Sequence, residues 1–159
     1  MKKMWTLTLC FYAILMVLSG CSKNSGSSAG PASSVTPVVS PANDVKVAKS
    51  AFTLLVNGDQ AVANMIYWEK FQVVGMDVGT MYSKMPNDAQ KKGFRNGFIS
   101  SFSSSYKKSG ATAASLSKWR IKTHTAAQSV VIADTLKKTT LSITVVNSNG
   151  KRKISAISQ

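Results

Sequence analysis

Near its start the chain has a predominantly apolar run from Met4 to Leu18, then crosses a stretch without apolar period, and then shows two different periods in succession. From Val45 to Val56 the period is helical. At about 100° per residue, Val45, Val47, Ala48, Ala51, Phe52, Leu54, Leu55 and Val56 share one face, and Lys46, Lys49, Ser50 and Thr53 share the other. This pattern predicts a helix lying on a core, with Asn43 or Asp44 as its cap. Asn57 and Gly58, which tolerate left-handed backbone, would end it. Asp59 offers the cap of a second helix running to about Trp68, with Val62, Met65 and Ile66 inward.

Residues 71–85 mix two glycines with scattered apolar positions and read as loop or short strand. Pro86, Asn87 and Asp88 start a third helix that runs to about Lys107, with Phe94, Phe98, Ile99, Phe102 and Tyr106 as its stripe. Gly93 and Gly97 fall on the opposite side and are expected to pack closely on another element. After residue 114 the period drops to two. Leu116–Thr123, Ser129–Asp134, Thr140–Ser148 and Lys151–Ile157 predict four strands. Asn149 and Gly150 suit a type I′ turn, which sets Val145 opposite Ile154 and Ile143 opposite Ala156. The expected fold is α+β, with about three N-terminal helices packed on a curved antiparallel sheet of about four C-terminal strands.

The N-terminal run changes the picture from a soluble domain to an exported one. Lys2 and Lys3 precede a predominantly apolar run of 15 residues, shorter than the roughly 20 that a permanent membrane helix needs, and small residues follow. This is the build of an export signal over residues 1–20. Residues 22–42, rich in Ser, Gly, Ala, Pro and Val, read as a linker with an average reach on the order of 25 Å. The domain then occupies residues 43–159.

Charge and cysteine content narrow the chemistry. Twenty Lys and Arg stand against six Asp and Glu, a formal net charge of +14, which favours anionic partners. The lysines Lys91, Lys92, Lys107, Lys108, Lys118, Lys122, Lys137, Lys138, Lys151 and Lys153 cluster near element ends, and a solvated surface accounts for most of them. The cysteines are Cys10 and Cys21, so the domain holds neither a disulfide nor a thiolate metal site. His124 has no His, Cys or Glu at metal-ligand spacing, and on the Trp119 to Thr123 alternation it falls on the solvent side. No Gly-rich phosphate loop, nucleophile elbow or zincin motif occurs. Neither a cofactor nor a metal is expected, and no catalytic residue is assigned. Arg95 lies at the edge of the Phe94, Phe98 and Phe102 stripe; it either snorkels, pairs with an acid such as Glu69 or Asp77, or joins Arg152 in holding an anionic group.

Leu18, Ser19, Gly20 and Cys21 match all four positions of the bacterial lipobox, and the N-terminus resembles that of bacterial lipoproteins. The resemblance implies cleavage between Gly20 and Cys21, a diacylglycerol on the Cys21 sulfur, and often a further acyl chain on the new amine. Two or more chains give stable anchoring where one is marginal. The alternative is an ordinary secretory signal with an incidental cysteine. Ser22 in place of aspartate implies the outer membrane, facing the periplasm, rather than the inner membrane. Nucleic acid is not an expected partner there; an anionic envelope surface or a periplasmic protein is.

The stretches "LVNGDQAVANMIYWEKF", "FRNGFISSF", "LSKWRIKT" and "TLSITVVNSNGKRKISAI" resemble the nuclear transport factor two-like fold, a cystatin-like α+β cone, and more narrowly small bacterial lipoproteins that carry it. A closing strand of the type "NGKRKISAI" is common in that family, with a tryptophan where this chain has Arg152. The resemblance implies a lipid-anchored, non-catalytic envelope protein that binds a small or anionic ligand or a partner protein. One alternative is an enzyme of ketosteroid-isomerase-like type, with Glu69 or Asp77 as base and Tyr67 or Tyr82 as donor. Another is a structural accessory whose cone has no pocket.

Overall fold

The computed structural model describes residues 40–159. The signal, Gly20, Cys21 and the linker up to residue 39 lie outside the described residues. Helix α1 spans Pro41–Asn57. It starts before the expected cap: Ser40 is the N-cap residue, and Pro41 opens the first turn, where its missing N–H leaves nothing unsatisfied. Ala48, Ala51, Phe52, Leu55 and Val56 are buried, as the apolar face requires. Gly58 ends the helix at φ 79°, donating to the carbonyls of Leu54 and Leu55.

The expected second α-helix is instead a 3₁₀ segment, Gln60–Met65, followed by a 3₁₀ turn at Trp68–Lys70. Asp59 does cap the first of these by accepting from the Ala61 N–H. The ambiguous stretch that follows forms two short strands, β1 (Gln72–Val73) and β2 (Met76–Asp77), and a six-residue helix α2 (Val78–Ser83). Helix α3 spans Asp88–Lys108 with Asn87 as its cap, accepting from Gln90 N–H.

Four longer strands complete the chain: β3 (Leu116–His124), β4 (Gln128–Thr135), β5 (Thr140–Ser148) and β6 (Lys151–Ser158). Together with β1 and β2 they make one six-stranded sheet in the order β2-β1-β6-β5-β4-β3. The sheet is mixed, because β1 runs parallel to β6. Asn149 and Gly150 turn the β5–β6 hairpin at φ 53° and 75°, the two left-handed residues of a type I′ turn. Val145 pairs with Ile154 as the hairpin predicts, but Ile143 pairs with Ile157 rather than with Ala156. A bulge on β6 between these pairs inserts Ser155, which shifts the register by one and turns Ile157 inward in place of Ala156.

Between helices and sheet the interior is filled by side chains. Trp68 lies edge-on to Phe71, Phe94 and Phe98, and Phe52 meets Phe102 and Tyr106 in the same way. Phe52, Phe71, Leu55, Ile66, Ile99 and Ile143 are fully enclosed. Every residue of this core cluster lies between Ala48 and Ile157, so the chain from Pro41 onward carries its own hydrophobic core and folds as a unit. Gly93 and Gly97 do not pack on another element: a Cβ at either would meet nothing within 4 Å. Gly79 is the close-packed glycine, since a Cβ there would sit 2.6 Å from the Glu69 carbonyl oxygen.

Candidate functional site

Two polar assemblies occupy opposite ends of the sheet. Because β4 and β6 run the same way and β3 and β5 run against them, the β3–β4 and β5–β6 turns share one end. The β4–β5 turn, the start of β3 and the β1–β2 turn share the other, where Val73 pairs with Ile157 near the end of β6.

The first assembly centres on Asp44, in the opening turn of α1 and fully buried. Arg152 grips its carboxylate from β6 with two nitrogens, Nε to Oδ1 at 2.7 Å and Nη2 to Oδ2 at 2.5 Å. The buried Ser129 hydroxyl on β4 donates to Oδ2 at 2.5 Å and accepts from Arg152 Nη2 at 3.1 Å. His124 at the end of β3 places Nδ1 2.7 Å from Ser129 Oγ and 3.4 Å from Asp44 Oδ2. Burial pushes the Asp44 carboxyl up, but the Arg152 and Ser129 hydrogen bonds, with the Arg152 and His124 charges, more than offset this and hold it below the usual aspartate range.

Ser, His and Asp are thus in contact, yet not in the order of a nucleophilic triad. A triad base uses one ring nitrogen for serine and the other for the carboxylate. Here Nδ1 faces both, the serine proton is committed to Asp44, and the hydroxyl is closed off from solvent. The geometry holds a helix terminus to three strands instead of activating an oxygen.

The second assembly is a shallow recess of about 340 Å³ lined by Ser117, Lys118, Asp134, Thr135, Lys138 and Thr139. Asp134 is offset by Arg120, whose Nη1 lies 2.9 Å away. The two lysines share an unusual backbone. Lys118 opposes Ala133 together with Trp119 in a bulge of β3 and has φ 48°. Lys138 closes the β4–β5 turn at φ 58°. In both settings the left-handed residue is ordinarily Gly or Asn.

No protein family, curated protein or solved structure matches this chain. The residues themselves therefore carry the reading. Arg152 and Arg95 have no partner in common: Arg152 is engaged by Asp44, while Arg95 Nη1 lies 3.4 Å from the Tyr82 hydroxyl. Glu69 is exposed on a 3₁₀ turn. Asp77 caps α2, accepting from the Thr80 hydroxyl at 2.7 Å and the Thr80 N–H at 2.9 Å, which hold its carboxyl below the usual range. Tyr82 is buried, and its hydroxyl is met by Arg95. Among the described residues no group of three or more His, Cys, Asp and Glu is disposed around a metal position, and no helix is long and apolar enough to cross a membrane.

His124 stays an exposed residue, as expected, but its side chain, 28% exposed, lies on the inner face of the sheet and not on the expected solvent face. The cause is a second bulge on β3. An extra residue, Lys122, separates the Ile121–Val131 and Thr123–Val130 pairs, so that His124 returns to the inner face opposite Ser129. Asp44 was equally hidden from sequence reasoning, because an aspartate at a helix start reads as a cap. The sequence signal available was the inward Arg152, a charge on the strand whose apolar neighbours define the core face.

Proposed function

We propose that this protein is a lipid-anchored component of the cell envelope, fixed through Cys21, whose α+β domain of the nuclear transport factor two-like kind acts by binding rather than by catalysis. The observation that carries the anchor is the four-residue match at Leu18, Ser19, Gly20 and Cys21 behind a short apolar run. Ser22 supports the outer membrane, facing the periplasm. Binding rather than chemistry is supported by the commitment of the one fully buried carboxylate among the described residues, Asp44, to Arg152 and Ser129. The domain's lysines favour an anionic ligand or surface. The test is the mass of the mature protein extracted from the envelope of an expressing bacterium. A diacylglyceryl-modified Cys21 as the first residue, lost in Cys21→Ser, is the expected result; an unmodified Cys21, or cleavage elsewhere, overturns the anchor.

A further inference from the structure

Three unusual features of the domain coincide at one end of the sheet. The first is exposure: among the described residues, Leu136 and Val74 are the exposed large apolar ones, at 83% and 65%. Leu136 tips the β4–β5 turn and Val74 the β1–β2 turn, which lie at the same end, about 14 Å apart across three strand spacings. The second is backbone strain. Val74, Lys118 and Lys138 have φ of 44°, 48° and 58°, and all three belong to this end. A left-handed conformation is a genuine outlier for a β-branched residue and unfavourable for lysine, and strain of this kind persists where a surface is used.

The third feature is charge. Lys137 and Lys138 follow Leu136 directly, and Lys138 shares the recess with Lys118. Thr135 and Thr139 add hydroxyls to its wall. The two lysines bring positive charge to a recess whose one carboxylate, Asp134, is already engaged by Arg120. At about 340 Å³ the recess has room for a phosphate group but not for a macromolecule, while the leucine tip beside it has no polar use.

The geometry points to this apex as a contact surface for anionic phospholipid bilayers, with Lys118 and Lys138 taking a lipid phosphate in the recess and Leu136 entering the acyl boundary. The inference rests on the envelope reading and names the partner within it. An apolar tip flanked by lysines gains both from apolar burial and from the negative surface potential of such bilayers. The chain enters the domain at Pro41, at the far end of the sheet beside Asp44. The 20-residue step from Cys21 to Pro41, at up to about 3.3–3.6 Å per residue, exceeds the roughly 26 Å length of β4, so the apex can meet the bilayer that holds the anchor.

The test uses the chain from Ser22 to Gln159, which has no lipid site and no cysteine. Leu136→Cys and, at the opposite end, Asn149→Cys are each labelled with an environment-sensitive fluorophore. Each is titrated with phosphatidylglycerol vesicles and with phosphatidylcholine vesicles. The expected result is a blue shift at position 136 alone, on anionic vesicles alone, with Lys118→Ala/Lys138→Ala weakening vesicle binding by about tenfold or more. Equal responses at both positions, or vesicle affinity unchanged in the double variant, overturn it. Binding of inorganic phosphate in the recess without any vesicle binding would assign the site to a free anion and equally overturn the bilayer contact. Absence of vesicle binding leaves the Cys21 anchor standing, because that is decided by the mass of the mature N-terminus.

Discussion

Arg152 holds Asp44 with two nitrogens across 108 residues of sequence, joining the first turn of α1 to the last strand of the sheet. Both groups are withdrawn from water, with side-chain exposures of 6% and 0%. A buried pair of this kind contributes little compared with a well-packed apolar pair, but breaking it leaves one charge stranded. Asp44→Ala is expected to destabilise the domain by about 3–5 kcal/mol. Asp44→Ala/Arg152→Met should recover much of that loss. Urea unfolding of the single and double variants measures both, and a double variant no more stable than Asp44→Ala would show that the ion pair is not the source of the loss.

The same pair sets an acid limit on stability. The native Asp44 carboxyl is held below the ordinary value of 3.8 that it regains when unfolded. Well above pH 3.8 both states are ionised and the contribution is complete. As the pH falls below that, the unfolded chain binds a proton that the native carboxylate still refuses, and stability drops until the native group itself titrates. Melting temperature followed from pH 6 to pH 2 should fall more steeply for the parent than for Asp44→Ala/Arg152→Met. Parallel curves would remove Asp44 as the cause.

Hydrogen-bond donors fix the tautomer of His124. Ser129 gives its one proton to Asp44 and accepts from Arg152, so His124 can only be its donor, through Nδ1–H. Nitrogen-15 NMR of the imidazole at pH 8 should find Nδ1 protonated and Nε2 bare. The reverse would mean that Ser129 donates to histidine and not to Asp44.

Two glycine substitutions should move stability in opposite directions. Gly97→Ala adds a methyl group in open space on α3 and should stabilise by about 0.5–1 kcal/mol. Gly79→Ala drives a Cβ into the Glu69 carbonyl, which is backbone and cannot swing aside, so a loss of about 1–3 kcal/mol is expected. Thermal melts of the two variants decide the matter, and a stable Gly79→Ala would mean that α2 can lift off the 3₁₀ turn beneath it.

Lys138 offers a trade between stability and use. Lys138→Gly relieves a left-handed lysine at φ 58° and should stabilise by about 1 kcal/mol while weakening attachment to anionic vesicles. Chemical denaturation and vesicle sedimentation read the two effects separately. A variant that loses stability would show that the turn is not strained.

Where the apolar period runs long, the structure follows it closely. Helices α1 and α3 and the four C-terminal strands lie within a few residues of their expected bounds, because each buries one face. Gln60–Met65 winds as a 3₁₀ segment that ends where Ile66 bridges to Ile154 at the sheet, a long-range contact that the local period does not show. The strands β1 and β2, of two residues each, are too short to show a period. The bulges at Lys118, Lys122 and Ser155 leave no compositional trace, since none of the three is glycine, yet they decide that His124 and Ile157 face inward. The polar assemblies were hidden partly for the same reason, since Lys118 sits in a bulge and His124 follows one, and partly because Asp44 at a helix start reads as a cap.

The position of Asp44 also has a mechanical side. Any tension arriving along the chain ahead of Pro41 enters at the first turn of α1, where Asp44 ties the helix to β6 through Arg152 and to β4 through Ser129. The load therefore passes into two internal strands of the sheet, each paired on both sides, and does not peel an edge. A domain pulled by its N-terminus would yield first at one carboxylate, and only then along its hydrophobic core.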